Sequence, residues 1–236
     1  QLDFKREADP RGLLNPGKMV YTFALGTQKL YDFIDHNPCC ATYSVDYTNN
    51  PTRIAQNDNM VAINNSVEID LYGQVNSESS GTRHITGTGG QFDYIFGAYH
   101  SKGGKAFICM TASQKNKKTG EIKSRIVPTL SPGAIVTIPR TVVSYVVTEY
   151  GMVNLRGLNG YERARALISI AHPDDRAWLE KEARRHGLMP PQFPANFLPE
   201  EGGNRRYPSY SDRRSYKMPM GSAIWGYDWD PIQSGK

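Results

Sequence analysis

The group of residues best suited to chemistry is Gly87-Thr88-Gly89-Gly90-Gln91-Phe92-Asp93. Closely spaced glycines let the main chain approach a ligand, and the apolar pattern from Phe92 to Tyr99 predicts a helix entered straight from this loop. N–H groups at a helix start point outward and favour negative charge. The segment can hold a phosphate, or the oxyanion that develops on an attacked thioester or anhydride carbonyl; the alternative is a tight turn with no ligand. It is not the dinucleotide fingerprint, which needs Gly-x-Gly-x-x-Gly, and it lacks the Gly-Lys-Ser/Thr ending of a phosphate-binding P-loop.

A second glycine site, Ser101-Lys102-Gly103-Gly104-Lys105, sets two lysines beside glycines. Lys102 and Lys105 can meet a phosphate or diphosphate, or they are solvated lysines on a hairpin-type turn. Among the carboxylates, Glu149 lies where a predicted strand ends before Gly151, and open α/β sheets bind ligands at such ends. Glu149 is a candidate nucleophile or base, set against a turn cap or an arginine partner. Glu68 falls within a predicted strand and Glu78 in a loop. His172 ends a helix before Pro173 and reads as a hydrogen-bonded structural histidine; His36, His84, His100 and His186 are scattered. No Cys/His cluster has zinc-ligand spacing, so no metal is expected, and no Gly-x-Ser-x-Gly elbow exists. Cys39 and Cys40 have no evident histidine partner and default to a small buried role.

These residues need elements to hold them. Strands are predicted over Met19–Leu25, Ala41–Val45, Met60–Ile63, Val67–Leu71, Lys105–Met110, Ile135–Ile138 and Tyr145–Val147. Val67–Leu71 alternates with period two, as a half-buried strand does. Helices are predicted over Thr27–Ile34 after a Gly26-Thr27 cap, from Pro51 to Gln56, and over Phe92–Tyr99, Gly160–His172 and Pro173–His186. Gly81 to Gly90 is a loop. Strands alternating with helices predict an α/β domain on a largely parallel sheet flanked by helices. Residues 1–18 read as an irregular leading segment, 19–189 as the domain, and 190–236 as an extended arm. The arm's Trp225, Tyr227 and Trp229 predict that it docks on something.

The chain has 236 residues, enough for a core that needs no disulfides. Three cysteines, two of them adjacent, do not make a disulfide framework, and a reducing, cytosol-like compartment is expected. There is no membrane-length apolar run and no signal-peptide pattern. The net charge of +5 suits either an anionic small ligand or nucleic acid, or is a solvated surface. The excess sits in Arg163 to Arg185 and around Arg205, Arg206, Arg213 and Arg214, and neither group interleaves with aromatics as RNA-binding sheets require.

Several segments together resemble one family. They include Gly26-Thr27-Gln28-Lys29-Leu30-Tyr31-Asp32-Phe33, Asp46-Tyr47-Thr48-Asn49-Asn50-Pro51 and Asp70-Leu71-Tyr72-Gly73-Gln74-Val75-Asn76. They continue with Gly87 to Asp93, Ser101 to Lys105, Ser124-Arg125-Ile126-Val127-Pro128 and Tyr145-Val146-Val147-Thr148-Glu149-Tyr150-Gly151. The stretch 16–188 is similar to the C-terminal domain of the acetyl-CoA hydrolase/transferase family, on the side of the butyryl-CoA:acetate and 4-hydroxybutyrate CoA-transferases.

The resemblance implies a CoA-transferase-like (NagB/RpiA-type) α/β domain, one of two similar halves with the active site at their junction. It implies no tightly bound cofactor, with coenzyme A or acyl-CoA as substrate. A family glutamate attacks the thioester and becomes a glutamyl-CoA thioester, which an acceptor carboxylate of the acetate type resolves. Asn49 and Gly90 match the oxyanion donors, and Gly87, Gly89, Gln91, Lys102 and Lys105 fall in segments expected to meet CoA. The nucleophile lies upstream of the matched segments, so an N-terminal half is the expected partner and this chain alone is not expected to turn over. Glu68 and Glu149 match other positions. A homo-oligomer and a cytoplasmic location (mitochondrial in a eukaryote) are further expectations. The competing readings are an acyl-CoA hydrolase on the same scaffold and a non-catalytic nucleotide- or nucleic-acid-binding module.

Overall fold

The computed structural model describes residues 15–115 and 119–190, together with the short strand β1 (Lys5–Arg6). Contacts divide the chain into a unit of residues 1–192 and another of 193–236. The expected arm, with Trp225, Tyr227 and Trp229, lies outside the described residues.

The first unit continues with β2 (Met19–Tyr21), α1 (Gln28–Ile34), β3 (Cys40–Thr42), α2 (Val45–Thr48) and α3 (Pro51–Ala55). Next come β4 (Val61–Asn65), β5 (Glu68–Asp70), β6 (Val75–Asn76), β7 (Ser79–Ser80), β8 (Arg83–His84) and α4 (Gln91–His100). Then follow β9 (Lys105–Cys109), β10 (Ser113–Lys115), β11 (Ile122–Ser124) and β12 (Ile126–Val127). The unit closes with β13 (Tyr145–Thr148), β14 (Gly151–Asn154), α5 (Gly160–Ser169) and α6 (Pro173–Arg185).

The central sheet has the order β14-β13-β9-β4. β4, β9 and β13 run parallel, and β14 closes one edge as an antiparallel hairpin with β13. Strand alternation sends Ala62, Ala106, Ile108 and Val146 into one core with Ile95 and Ala98 of α4 and Leu167 and Ile168 of α5. Burying a branched side chain there contributes about 1.5–3 kcal/mol, which is what holds α4 across β4 and β9. Asn159 and Glu162 form a reciprocal capping box at the start of α5. α6 starts with Pro173 at its first position, and the side chain of His172 accepts from Asp174 N, the structural role expected of that histidine.

The result is a mixed α/β unit; among the described residues the strands are shared among five sheets, of which the central one, with three parallel strands, comes nearest to the expected parallel layer. Three local expectations are corrected. Val67–Leu71 yields β5, which is buried on both faces: Glu68 is 6% and Asp70 1% exposed. These carboxylates are tolerated because main-chain and side-chain donors surround them. Asp70 accepts from Tyr72 N, Gln74 N and Gln74 Nε2, and Glu68 from Asn76 Nδ2, Ser131 N and Ser131 Oγ. Burial nevertheless pushes the Asp70 carboxyl up. Ile135–Ile138 is not a strand; Ile138 makes one isolated bridge to Val75 between Pro132-Gly133 and Pro139, which interrupt any ladder. The strand expected over Ala41–Val45 stops at Thr42, and Val45 opens α2 behind Ser44. Among the described residues, no helix is long and apolar enough to cross a membrane.

Candidate active site

Asn49 and Gly90, 41 positions apart in sequence, meet in space. Asn49 ends α2, its N–H donating to Val45 O at 2.8 Å. The next residue, Asn50, caps α3 by accepting from Thr52 N and Arg53 N, with Pro51 in the first turn. Two helix ends thus fix the backbone on either side of the Asn49 amide. Thr48 is fully buried, and its hydroxyl lies 3.1 Å from Asn49 Oδ1, nearer than its other acceptors Ser44 O and Val45 O. With Oδ1 held by Thr48, Asn49 Nδ2 is turned to Gly90: a Cβ added at Gly90 would overlap that nitrogen. Only glycine leaves room for the carboxamide.

α3 reaches this position by packing on α4 at Gly97, where a Cβ would stand 2.5 Å from Ile54 Cγ2 and 3.1 Å from Pro51 O. Gly90 is the N-cap of α4 and no side chain caps the helix there. Gly89 before it has φ +55, and nothing lies within 4 Å of the Cβ positions of Gly87 or Gly89. Gln91 Nε2 donates to Asn65 O at 2.9 Å, which ties the helix start to the C-terminal end of β4. The base of the loop is held where Glu78 O accepts from Ile85 N and Thr86 N. Asp93 sits in the first turn, and burial pushes its carboxyl up. The arrangement is a helix start with a half-exposed glycine and a fixed carboxamide beside it, and it can offer N–H donors to an oxyanion.

Lys102 and Lys105 are not part of this cluster. They lie beyond the C-terminal end of α4, whose ten residues span about 15 Å. Their glycines are packed against protein: a Cβ on Gly104 would overlap Ala98 O, and one on Gly103 would overlap Asn59 Oδ1. Asn59 N also donates to Lys102 O, and Ser101 Oγ to Asn57 O. The turn closes α4 onto the start of β9, with both lysines exposed.

Glu149 accepts from Ala112 N at 2.8 Å, joining the end of β13 to the segment after β9. Its charge favours the cationic form of Arg125, whose guanidinium burial draws down. This is the turn-holding alternative raised for Glu149. Neither Thr48 nor Glu78 is recognisable from the sequence as a support of the site, because a threonine beside the asparagine and a glutamate before the glycine loop carry no periodic signal. Cys39, Cys40 and Cys109 are free thiols, and Cys39 is exposed where a buried role was expected. Among the described residues, no three His, Cys, Asp or Glu side chains group as metal ligands.

Residues 26–183 match the acetyl-CoA hydrolase/transferase C-terminal domain. A protein of Syntrophomonas wolfei subsp. wolfei named "probable butyrate:acetyl-CoA coenzyme A-transferase" is 57% identical over 171 residues, which cover 72% of this chain and 38% of that protein. The 4-hydroxybutyrate coenzyme A transferase of Clostridium kluyveri is 54% identical over 172 residues, 73% of this chain and 39% of the relative. The crystal structure of RipA from Yersinia pestis superposes with a TM-score of 0.69 at 42% identity, over 77% of this chain and 40% of RipA. The chain therefore spans less than half the length of the relatives it matches. Sequence and structure agree here, and the chain belongs to the acetyl-CoA hydrolase/transferase family through its C-terminal domain.

Proposed function

We propose that this chain supplies the oxyanion-stabilising side of an acyl-CoA:carboxylate CoA-transferase active site, built on a NagB/RpiA-type half-domain. The observation that carries the reading is the Asn49 amide, oriented by Thr48, against the Gly90 helix start. In the proposed reaction a glutamate carboxylate of the preceding half attacks the acyl-CoA thioester carbonyl. The C=O electrons move to oxygen, and Asn49 Nδ2 and the Gly90 N–H donate to that oxyanion. Collapse expels CoA thiolate and leaves a mixed anhydride. The thiolate attacks the glutamyl carbonyl, releases the acyl group as its carboxylate and forms the glutamyl-CoA thioester. An acceptor carboxylate of the acetate type takes CoA by the reverse sequence.

The backbone around Gly87, Gly89 and Gln91 is assigned to the reacting end of CoA. Lys102 and Lys105 can meet only a more distant part of it, given the length of α4. The names of the relatives support transfer over hydrolysis. The test is an acyl-CoA assay on this chain assembled with a glutamate-bearing N-terminal half, with and without acetate. Transfer predicts acetate-dependent turnover, and borohydride trapping after acyl-CoA addition modifies the other half. Acetate-independent CoA release would establish hydrolysis, and a label on Glu149 would overturn the assignment of the nucleophile.

A further inference from the structure

Helix α4 leads away from the candidate site along an unbroken line of rings. Phe92 stacks on Phe96 at 5.4 Å, Phe96 meets His100 edge-on at 4.5 Å, and His100 meets Tyr99 at 5.4 Å. Phe92 and His100 are exposed, and Phe96 and Tyr99 half-buried. The line ends at three arginines. The Arg156 guanidinium lies over the Tyr99 ring, 4.3 Å from its centroid. Arg163, in the first turn of α5, donates from Nε to Leu158 O at 3.1 Å and from Nη1 to Arg140 O at 2.8 Å. The turn at Gly73, with φ +90, closes the base: a Cβ there would stand 3.0 Å from Arg163 Nη1 and 3.9 Å from Arg140 Cβ.

Arg184 and Arg185 pair with Glu180 and Glu182 of their own helix. Arg140, Arg156 and Arg163 have no acidic partner among the described residues, and Arg163 Nη2 and the Arg140 guanidinium have no hydrogen-bond acceptor there. Burial draws the Arg163 guanidinium down, and the charge of Arg140 adds to the effect. None of the three donates to a terminal carbonyl of α4, so capping that helix does not account for them. Arginine binds phosphate oxygens through paired N–H donors in a fixed fork, and separate guanidiniums with one seated on main-chain carbonyls suit more than one phosphate group.

We propose that Arg140, Arg156 and Arg163 form a phosphate-binding site at the far end of α4, which takes the diphosphate of a nucleotide-type ligand. One source of that group is CoA itself. Tyr99 lies nine residues beyond Gly90, about 14 Å along the helix, and the pantetheine arm of CoA, in length about four extended residues, spans ~14 Å. A CoA with its sulfur at Gly90 therefore reaches the arginines with its phosphates, its arm lying along the rings. The other source is a separate phosphate compound. The site stands on its own geometry, and only its assignment to CoA rests on the transferase reading given above.

The test is calorimetric binding to the full chain in about 0.1 M salt, where charges farther than ~10 Å are largely screened. Inorganic pyrophosphate is the first probe and CoA the second. Pyrophosphate should bind, and Arg140→Ala combined with Arg156→Ala should weaken it about tenfold or more. Both positions are exposed, so the circular dichroism and Tm should not change. Lys181→Ala combined with Arg185→Ala removes the same charge from exposed positions on α6 and should change binding less than about twofold. Equal weakening by the two pairs would overturn the site, since only overall charge would then be at work; so would a chain that binds no pyrophosphate. CoA that displaces pyrophosphate, and is itself weakened by the Arg140 and Arg156 changes, identifies CoA as the source. CoA that leaves pyrophosphate bound makes the ligand a separate phosphate compound, and either outcome supports the site. None of these measurements uses turnover, so loss of the site would leave the Asn49–Gly90 reading intact. Failure of that reading, seen in acetate-dependent turnover, would in turn leave pyrophosphate binding unchanged.

Discussion

Helix α4 has glycines at both ends, and the two ends use them differently. Beyond its C-terminus, Gly104 faces the carbonyl of Ala98 and lies 2.7 Å, measured from an added Cβ, from Ser101 Cβ; Gly103, at φ +73, faces Asn59. Packing accounts for both. At the N-terminus, Gly87 and Gly89 face open space, and the neighbour of Gly90 is a side-chain amide. The contrast teaches that a glycine surrounded by main chain serves the fold, whereas a glycine beside a single oriented polar group and empty space keeps room for something else.

The sharpest test of this contrast is Asn49→Ala in the assembled enzyme. The transfer rate should fall about a hundredfold or more, with a small change in Tm, since the lost hydrogen bond to Thr48 is local. An unchanged rate would break the comparison outright. Next in size, Gly104→Ala should destabilise the unit by about 1–3 kcal/mol in chemical denaturation, because the carbonyl of Ala98 cannot yield without opening the end of α4. Loss of transfer without loss of stability would mean that this end has a chemical role. Lys102→Ala combined with Lys105→Ala should raise the KM for acyl-CoA a few-fold, roughly, at constant kcat, the signature of uniform binding; a fall in kcat would place the lysines at the reacting centre. The smallest effect is expected from Gly87→Ala, within about 0.5 kcal/mol in stability. If that substitution nonetheless slows transfer, the empty space beside Gly87 is where substrate lies.

Much of this was legible in the sequence because the relevant elements are local. The Gly90 helix start, the Pro51 helix and the strands beginning at Lys105 and Tyr145 declare themselves by periodicity and caps. The meeting of Asn49 with Gly90 was not readable from spacing and came only from the family resemblance; it depends on α3 packing on α4 through Gly97, a tertiary contact. Thr48 is silent in the sequence for the same reason, since its hydroxyl matters only through the orientation of its neighbour. Glu68 and Asp70 misled in the opposite sense: alternation marked them as solvent-facing, and donors allowed them inside, from the adjoining turn at Tyr72 and Gln74 for Asp70 and from distant Ser131 for Glu68.

Glu68 has a consequence for how the molecule melts. Its carboxylate takes both donors of Ser131, 63 positions away, and one from Asn76, whose own oxygen receives Glu78 N and Ser79 N. None of these groups can be released singly without stranding a dehydrated partner. The stretch from 68 to 79 and the turn at 131 must therefore open as one cooperative event. Glu78, whose carbonyl anchors the glycine loop, belongs to that event. The loop can stay uncovered at its tip without being the place where heat first unravels the protein.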